Sequence, residues 1–487
     1  MSASASVLET PPLLARTKDT NLNPHEMPPK LEAEEDEDAT FDWLHQPPPV
    51  HRINLSLPPA ERYVELAQFY RDPMRSLRGT FDELVTSLSP KIPLGLVHRL
   101  ARTFLRRLST SEETEELRGI SRVTGIDLYL LICFNTVLDL LMGCTSGGVR
   151  TKHGSETRML HFRTLDWGME KLRPLIVQLE FTRDDHPERV LATTVGYVGY
   201  VGVLTGVRKD LSISLNFRPV HDTTKNFPFY LNHLLVLLGR RPSISSLLRQ
   251  CLIPSSPNSK RLGWDWKLPT LYNIMDDIPS QPTTAAYLIF SDGQRTVTME
   301  KDVRTAVTRF DPYFIIVTNN DQDSATIPSQ DAAENMESGQ SRLALVSGEP
   351  LSMEELIEDS KDRRACMQKK WDHKMKQNQR DRDRRDQTRE LLVDESPEDT
   401  NKHHSGVRSS LRLRQKAVER QKRVDSEISK LRGNADRSDT AITPREALSW
   451  LTTYPIVNED THYATLMDPS EGKLFWVSLY DSGQITA

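Results

Sequence analysis

Residues 143–168 read GCTSGGVRTKHGSETRMLHFRTLDWG. Two runs rich in β-branched and aromatic residues flank the turn-forming TKHGSE, which predicts neighbouring strands able to pair across that turn. Directly before them, IDLYLLICFNTVLDLLM (126–142) is apolar on nearly every side, the mark of a buried helix. The chain therefore switches from helix to strand at Gly143–Cys144. Cys144 follows a glycine and precedes two small hydroxyl residues, Thr145 and Ser146.

A free cysteine is most often a small buried hydrophobe, and Cys133, Cys251 and Cys366 take that reading. Cys144 has different company. A cut between Gly143 and Cys144 would put a thiol and an α-amine on one residue. An α-amine titrates near pH 7.7–8.0, close enough to the thiol to serve as its base. Such a site needs no histidine. Gly143 leaves the backbone free and gives the thiol room to attack the carbonyl before it. The chemistry also needs a carboxylate to hold the amine and donors for the oxyanion of a tetrahedral intermediate. In HFRTLDWG, Asp166 is the natural amine holder and Arg163 brings positive charge; taken alone, the two read as a surface ion pair at a strand end.

Outward from this stretch the chain is layered. Residues 1–40 are polar and end in EAEEDEDAT, a composition that predicts a disordered tail. HRINLSL (51–57) alternates like a short strand, and Pro58–Pro59 precede a helix expected from Ala60–Glu61. Helical spacing continues to Gly143. Strand-like runs follow through DLSISLNFRP (210–219), then helical spacing in FPFYLNHLLVLLGRRPSISSLLRQCL, then strands again up to VTNND (317–321). This order fits an α+β domain with antiparallel sheets. Residues 321–355 read as a polar loop. Residues 367–439 carry dense charge of both signs and read as a solvated insertion, partly helical or disordered. The segment 440–487 restores a helix and two strands to the core.

The 487 residues are 37% hydrophobic and 27% charged with a net charge of −5, so composition gives no case for nucleic acid binding. The four cysteines form no C-x-x-C pair, and nothing calls for a metal or cofactor. The N-terminus lacks a basic segment followed by a sustained apolar run, so no secretory signal is read and a reducing, cytoplasmic compartment is expected.

CTS…HFRTLDWG resembles the acid ceramidase and N-acylethanolamine acid amidase family, part of the choloylglycine-type N-terminal nucleophile hydrolases. PPPVHRINLSLPPAERYVEL, GISRVTGIDLYLLICFN, GYVGVLTG (199–206), VTNND, DRR (362–364) and YPIVNEDTHYATLMDPSEGKL, from Tyr454, follow in the family's order. The resemblance implies a four-layer αββα sandwich. It implies Cys144 as nucleophile, Arg163 and Asp166 as the R-x-x-D pair, Asn319 as the oxyanion residue and Arg363 as a bracing arginine. Region 41–143 would become the small subunit of an α/β heterodimer cut from one precursor. Region 144–366 and the C-terminal part would form the catalytic body. Three departures stand out. Phe217 replaces a family glutamate, no cysteine in 1–132 could form the family's inter-subunit disulfide, and the missing signal contrasts with lysosomal members.

The reading is an autoprocessed cysteine amidohydrolase that cleaves the amide of an N-acyl lipid, ceramide or an N-acylethanolamine, through a thioester. Contact with a membrane or lipid surface would accompany such a substrate. A choloylglycine- or penicillin-type acylase is the enzymatic alternative. A non-catalytic lipid-binding member, favoured only by Phe217, is the other.

Overall fold

A computed structural model describes residues 46–88, 93–137, 143–154, 156–219, 226–255, 268–322, 344–346, 349–351, 353–393 and 440–481. The expected tail at 1–40, much of the polar 321–355 segment and the insertion from residue 394 lie outside the described residues.

The N-terminal region begins with strand β1 (Val50–Asn54) and continues through α1 (Val64–Phe69), α2 (Arg71–Met74), α3 (Ser76–Leu88), α4 (Leu94–Phe104), α5 (Ser111–Thr124) and α6 (Leu128–Val137). The helix expected from Ala60 starts at Val64 instead. Glu61 N and Val64 N bond back three residues, to Pro58 O and Glu61 O, so the prolines are followed by turns. Helix α5 opens on Thr110, whose hydroxyl accepts from Glu113 N, and stops at Gly125, where φ is 76°. That left-handed conformation costs glycine little because it lacks a Cβ.

Strands β2 (Gly143–His153) and β3 (Glu156–Asp166) form the expected antiparallel pair, with Gly143 opposite Asp166 and Ser146 opposite Arg163. Next come β4 (Ile176–Thr182), β5 (Ala192–Tyr197), β6 (Thr205–Arg208), β7 (Leu211–Phe217), α7 (Asn226–Leu237), α8 (Ile244–Leu252) and α9 (Leu271–Asp277). Strands β8 (Ala286–Ser291), β9 (Thr296–Lys301), β10 (Ala306–Asp311) and β11 (Phe314–Val317) follow, then the small hairpin β12 (Ala344–Val346) and β13 (Glu349–Leu351). The chain closes with α10 (Met353–Val393), α11 (Pro444–Leu451), β14 (Thr461–Asp468) and β15 (Lys473–Leu479).

Among the described residues two sheets face each other. One has the order β1-β4-β5-β6-β7-β8-β9-β10, the other β11-β2-β3-β14-β15. Strand β2 packs across β7, β8 and β9, while α8 lies on β6 and β7 and α10 and α11 lie on β2. The result is an α+β fold in αββα layers, as the resemblance implies. The sheets approach closely: a Cβ on Gly148 would lie 1.9 Å from Thr296 Oγ1, so only glycine fits there.

The charged segment expected from residue 367 begins inside α10. Its face at Met367, Trp371, Lys374 and Asn378 lies against the body. Trp371 stacks on Phe314 with ring centroids 4.9 Å apart, and Lys374 Nζ lies 2.6 Å from Glu446. Helical spacing of these few residues is hard to see amid the surrounding charge.

Candidate active site

The register of β2 and β3 places Cys144, Ser146 and Arg163 on the face toward the larger sheet. Cys144 is fully buried. Its Sγ lies 3.4 Å from Arg163 Nη2 and 3.8 Å from the carbonyl of Leu215 on β7. Arg163 also donates from Nη1 to Leu215 O at 2.6 Å and to Asn216 Oδ1 at 3.1 Å. Ser146 Oγ donates to the same Asn216 oxygen at 2.6 Å, and Asn216 Nδ2 donates to Val317 O. Asn216 therefore fixes Arg163, and nothing in the sequence marks it.

Thr145 and Asp166 lie on the other face, toward α10. Asp166 accepts from Arg363 Nη1 at 3.0 Å and from Thr461 Oγ1 at 2.8 Å. Arg363 Nη1 also donates to Thr145 Oγ1 at 2.9 Å, and its Nη2 to Asn319 Oδ1 at 3.3 Å. Asn319 sits just beyond β11, which is hydrogen-bonded to β2. Its Oδ1 accepts from the backbone nitrogen of Cys144 at 2.8 Å, and its Nδ2 donates to Phe217 O at 2.8 Å. Both neighbours of Oδ1 are donors and the neighbour of Nδ2 is an acceptor, so the network fixes the amide's orientation. The five residues expected from sequence are thus together at one end of β2. Asn216, Thr461 and Ser360, whose Oγ accepts from Asn319 N at 2.7 Å, join them.

Burial pushes the Cys144 thiol up; Arg163 pulls it down, Asp166 pushes it up and Arg363 pulls it down. Burial likewise raises the Asp166 carboxyl, against Arg363 and Thr461. Burial works against the charge on Arg163, but Cys144 and Tyr463 beside it keep it cationic. His161, fully buried between Ser212 and Ser214, is pushed down to about 3 by burial and by Arg163, so it is a neutral hydrogen-bonding residue. The site can therefore lend positive charge to a sulfur or an oxyanion, while the one nitrogen that a cut would turn into an amine is held by an amide oxygen.

Phe217 is buried, and its carbonyl is the group that meets Asn319. Strand alternation turns its side chain away from the face of Asn216. Gly143 is in ordinary strand conformation, and a Cβ there would make only ordinary contact with Asp166 Cβ, 3.4 Å away, so neither φ nor packing demands glycine. None of the four cysteines, all among the described residues, is in a disulfide. Among the described residues no group of His, Cys, Asp and Glu could hold a metal ion, and no helix is long and apolar enough to cross a membrane.

The family model described as the beta subunit of N-acylethanolamine-hydrolyzing acid amidase matches residues 46–108. Acid ceramidase of Mus musculus is 34% identical over 190 residues, covering 35% of this chain and 46% of that protein. Acid ceramidase of Homo sapiens is 31% identical over 188 residues, with 35% and 45% covered. The chain spans just under half the length of the curated relatives it matches. Among solved structures, the Caenorhabditis elegans N-acylethanolamine-hydrolyzing acid amidase (NAAA) ortholog aligns over 69% of this chain and 100% of its own, at 16% identity and a TM-score of 0.37. In sequence, the chain is similar to the acid ceramidases over about a third of its length, and to the N-acylethanolamine-hydrolyzing acid amidase model over residues 46–108.

Proposed function

We propose that this relative of the acid ceramidases and N-acylethanolamine amidases is an N-acyl-lipid amidohydrolase that matures by cutting its own Gly143–Cys144 bond. One observation carries the reading: Cys144, at the start of β2, has its sulfur 3.4 Å from Arg163 and its nitrogen 2.8 Å from Asn319. In maturation the thiol adds to the Gly143 carbonyl, the Cys144 nitrogen leaves as an amine, and water hydrolyses the resulting ester of the thiol. In turnover that amine takes the thiol proton, and the sulfur adds to the substrate amide carbonyl. The leaving amine takes the proton, and water hydrolyses the thioester. Arg163 stabilises the sulfur as thiolate. Asn319 Nδ2 exchanges Phe217 O for the substrate oxyanion, while Arg363 pairs with Asp166 beside Thr145.

The helical region then remains as a second chain of the same precursor. Strand β1 pairs in parallel with β4 over Val50–Asn54, and Leu479 N donates to Gln46 O. Arg62 and Arg249 converge on buried Glu116, at 3.0 and 2.6 Å, which joins α5 to α8 without a disulfide. A lipid substrate fits the surface as well. Leu96, Leu100 and Phe104 form an exposed stripe on α4, and Phe227, Tyr230, Leu231 and Leu234 form one on α7. Both helices pack on α6, and Arg99, Arg102 and Arg106 lie exposed beside the first stripe. This is the composition of a face that rests on a lipid surface.

Intact-mass measurement of purified protein, paired with assay on ceramides and N-acylethanolamines, tests the reading. A C-terminal fragment that begins at Cys144 and turnover abolished by Cys144→Ala are expected. An uncut chain with full activity would overturn the amine-base mechanism.

A further inference from the structure

Two residues after β11 ends, the turn Asn319–Asn320–Asp321 crosses from the smaller sheet to the larger one. Asn319 belongs to the site. Asp321, two residues on, is held by a set of partners of its own. Arg218, the residue after Phe217, donates Nε to Asp321 Oδ1 at 2.8 Å and Nη2 to Oδ2 at 2.7 Å, a two-pronged pair. Tyr287 OH on β8 donates to Oδ1 at 2.8 Å. Arg218 is also placed 3.7 Å from Asp302, and its guanidinium lies 5.8 Å from the Tyr287 ring centre. On the opposite side, Arg364 of α10 donates to the carbonyls of Asn320 and Asp321, and Ser360 Oγ donates to Asn320 Oδ1 at 2.8 Å.

The turn that carries Asn319 is therefore clamped between two layers. Arg218 adjoins Phe217, whose carbonyl holds Asn319 Nδ2, so the same end of β7 fixes the turn at two points. Resting on the amidohydrolase reading, we propose that Asp321, seated by Arg218 and Tyr287, is a positioning residue that sets Asn319 against the nitrogen of Cys144. Burial works to raise its carboxyl, but Arg218 and then Tyr287 more than offset this and hold it below the usual carboxylate range. The ordinary carboxylate value is near 3.9. The clamp stays ionised as the medium becomes acidic and opens only below that range.

Two measurements on the full chain test this. The first is a double-mutant cycle on turnover of an N-acyl lipid, with Asp321→Asn, Asn319→Ala and both together. Asp321→Asn is expected to lower kcat by about tenfold or more with KM within about twofold, the pattern of a group acting only at the transition state. If Asp321 acts through Asn319, the double variant is no slower than Asn319→Ala alone. The second is hydrogen–deuterium exchange of peptides spanning 314–322 and 286–291. Asp321→Asn should speed exchange in the first and leave the second unchanged. Additive losses in the cycle, or unchanged exchange at 314–322, would overturn the proposal. If the wild-type chain turns over no N-acyl lipid, the parent reading fails and the exchange experiment alone decides the clamp.

Discussion

Cys144 and Asp166 stand on neighbouring strands, but their side chains project to opposite faces of the sheet. Cys144 faces Leu215 of the larger sheet, and Asp166 faces Arg363 of α10. The backbone nitrogen of Cys144 connects the two sides. It donates to Asn319, Asn319 accepts from Arg363, and Arg363 pairs with Asp166. The thiol and the group that would become its base are thus served by separate sets of residues.

Asp166→Asn keeps the shape and removes the charge that Arg363 answers. Precursor cleavage and turnover should both slow, turnover by on the order of 10²-fold, the scale of a positioned acid–base partner. Rate is to be read beside melting temperature on soluble protein. A lowered melting temperature with normal turnover would reduce Asp166 to a structural role.

Arg163→Met tests the charge beside the sulfur. Burial pushes the Cys144 thiol up, and Arg163 is the largest pull in the other direction. Without it, less thiolate exists at a given pH. The pH dependence of iodoacetamide labelling at Cys144, mapped by mass spectrometry, should move upward by about one pH unit or more. An unmoved profile would show that the 3.4 Å contact does not tune the thiol.

Glu116→Ala would remove the buried anion that Arg62 and Arg249 share, leaving Arg62 with Glu112 and taking from Arg249 the carboxylate it is bonded to. Breaking a buried pair from one side costs about 3–5 kcal/mol, so a large drop in melting temperature is expected. Calorimetry of the variant checks this. In the cleaved protein the same substitution should let the N-terminal piece separate in gel filtration.

The charged insertion separates two outcomes. Replacing 372–436 by a flexible linker removes Lys374 and Asn378, which bond to Glu446 and Ala441 O. That deletion should lower the melting temperature. Replacing only 394–436 leaves every one of those contacts in place, and loop-closure entropy changes slowly with length. Its melting temperature should match the wild type within a few degrees.

Cys144, Arg163 and Asp166 were legible because two adjacent runs around one turn settle their register. Asn319 and Arg363 lie far along the chain and were reached only by resemblance. Asn216 was not legible at all. In Leu211–Phe217, Ser212, Ser214 and Asn216 alternate with apolar residues, the pattern of a strand with one wet face. Both faces are buried, because the layer between the sheets is itself polar: His161 meets the two serines and Ser146 and Arg163 meet Asn216. Period-two patterning cannot tell a polar interior from solvent. Phe217 departs from the family's glutamate, but the contact it supplies is a carbonyl, which any residue carries.

The pairing of β1 with β4, and of Gln46 with β15, has a practical consequence. The N-terminal region covers one border of the larger sheet and meets the last residues of β15. A recombinant fragment that starts at Cys144 would present β4 as unpaired backbone, a ready template for strand addition from other copies. Producing the catalytic body by itself should therefore yield aggregates, and co-expression with residues 46–142 should restore monodisperse protein.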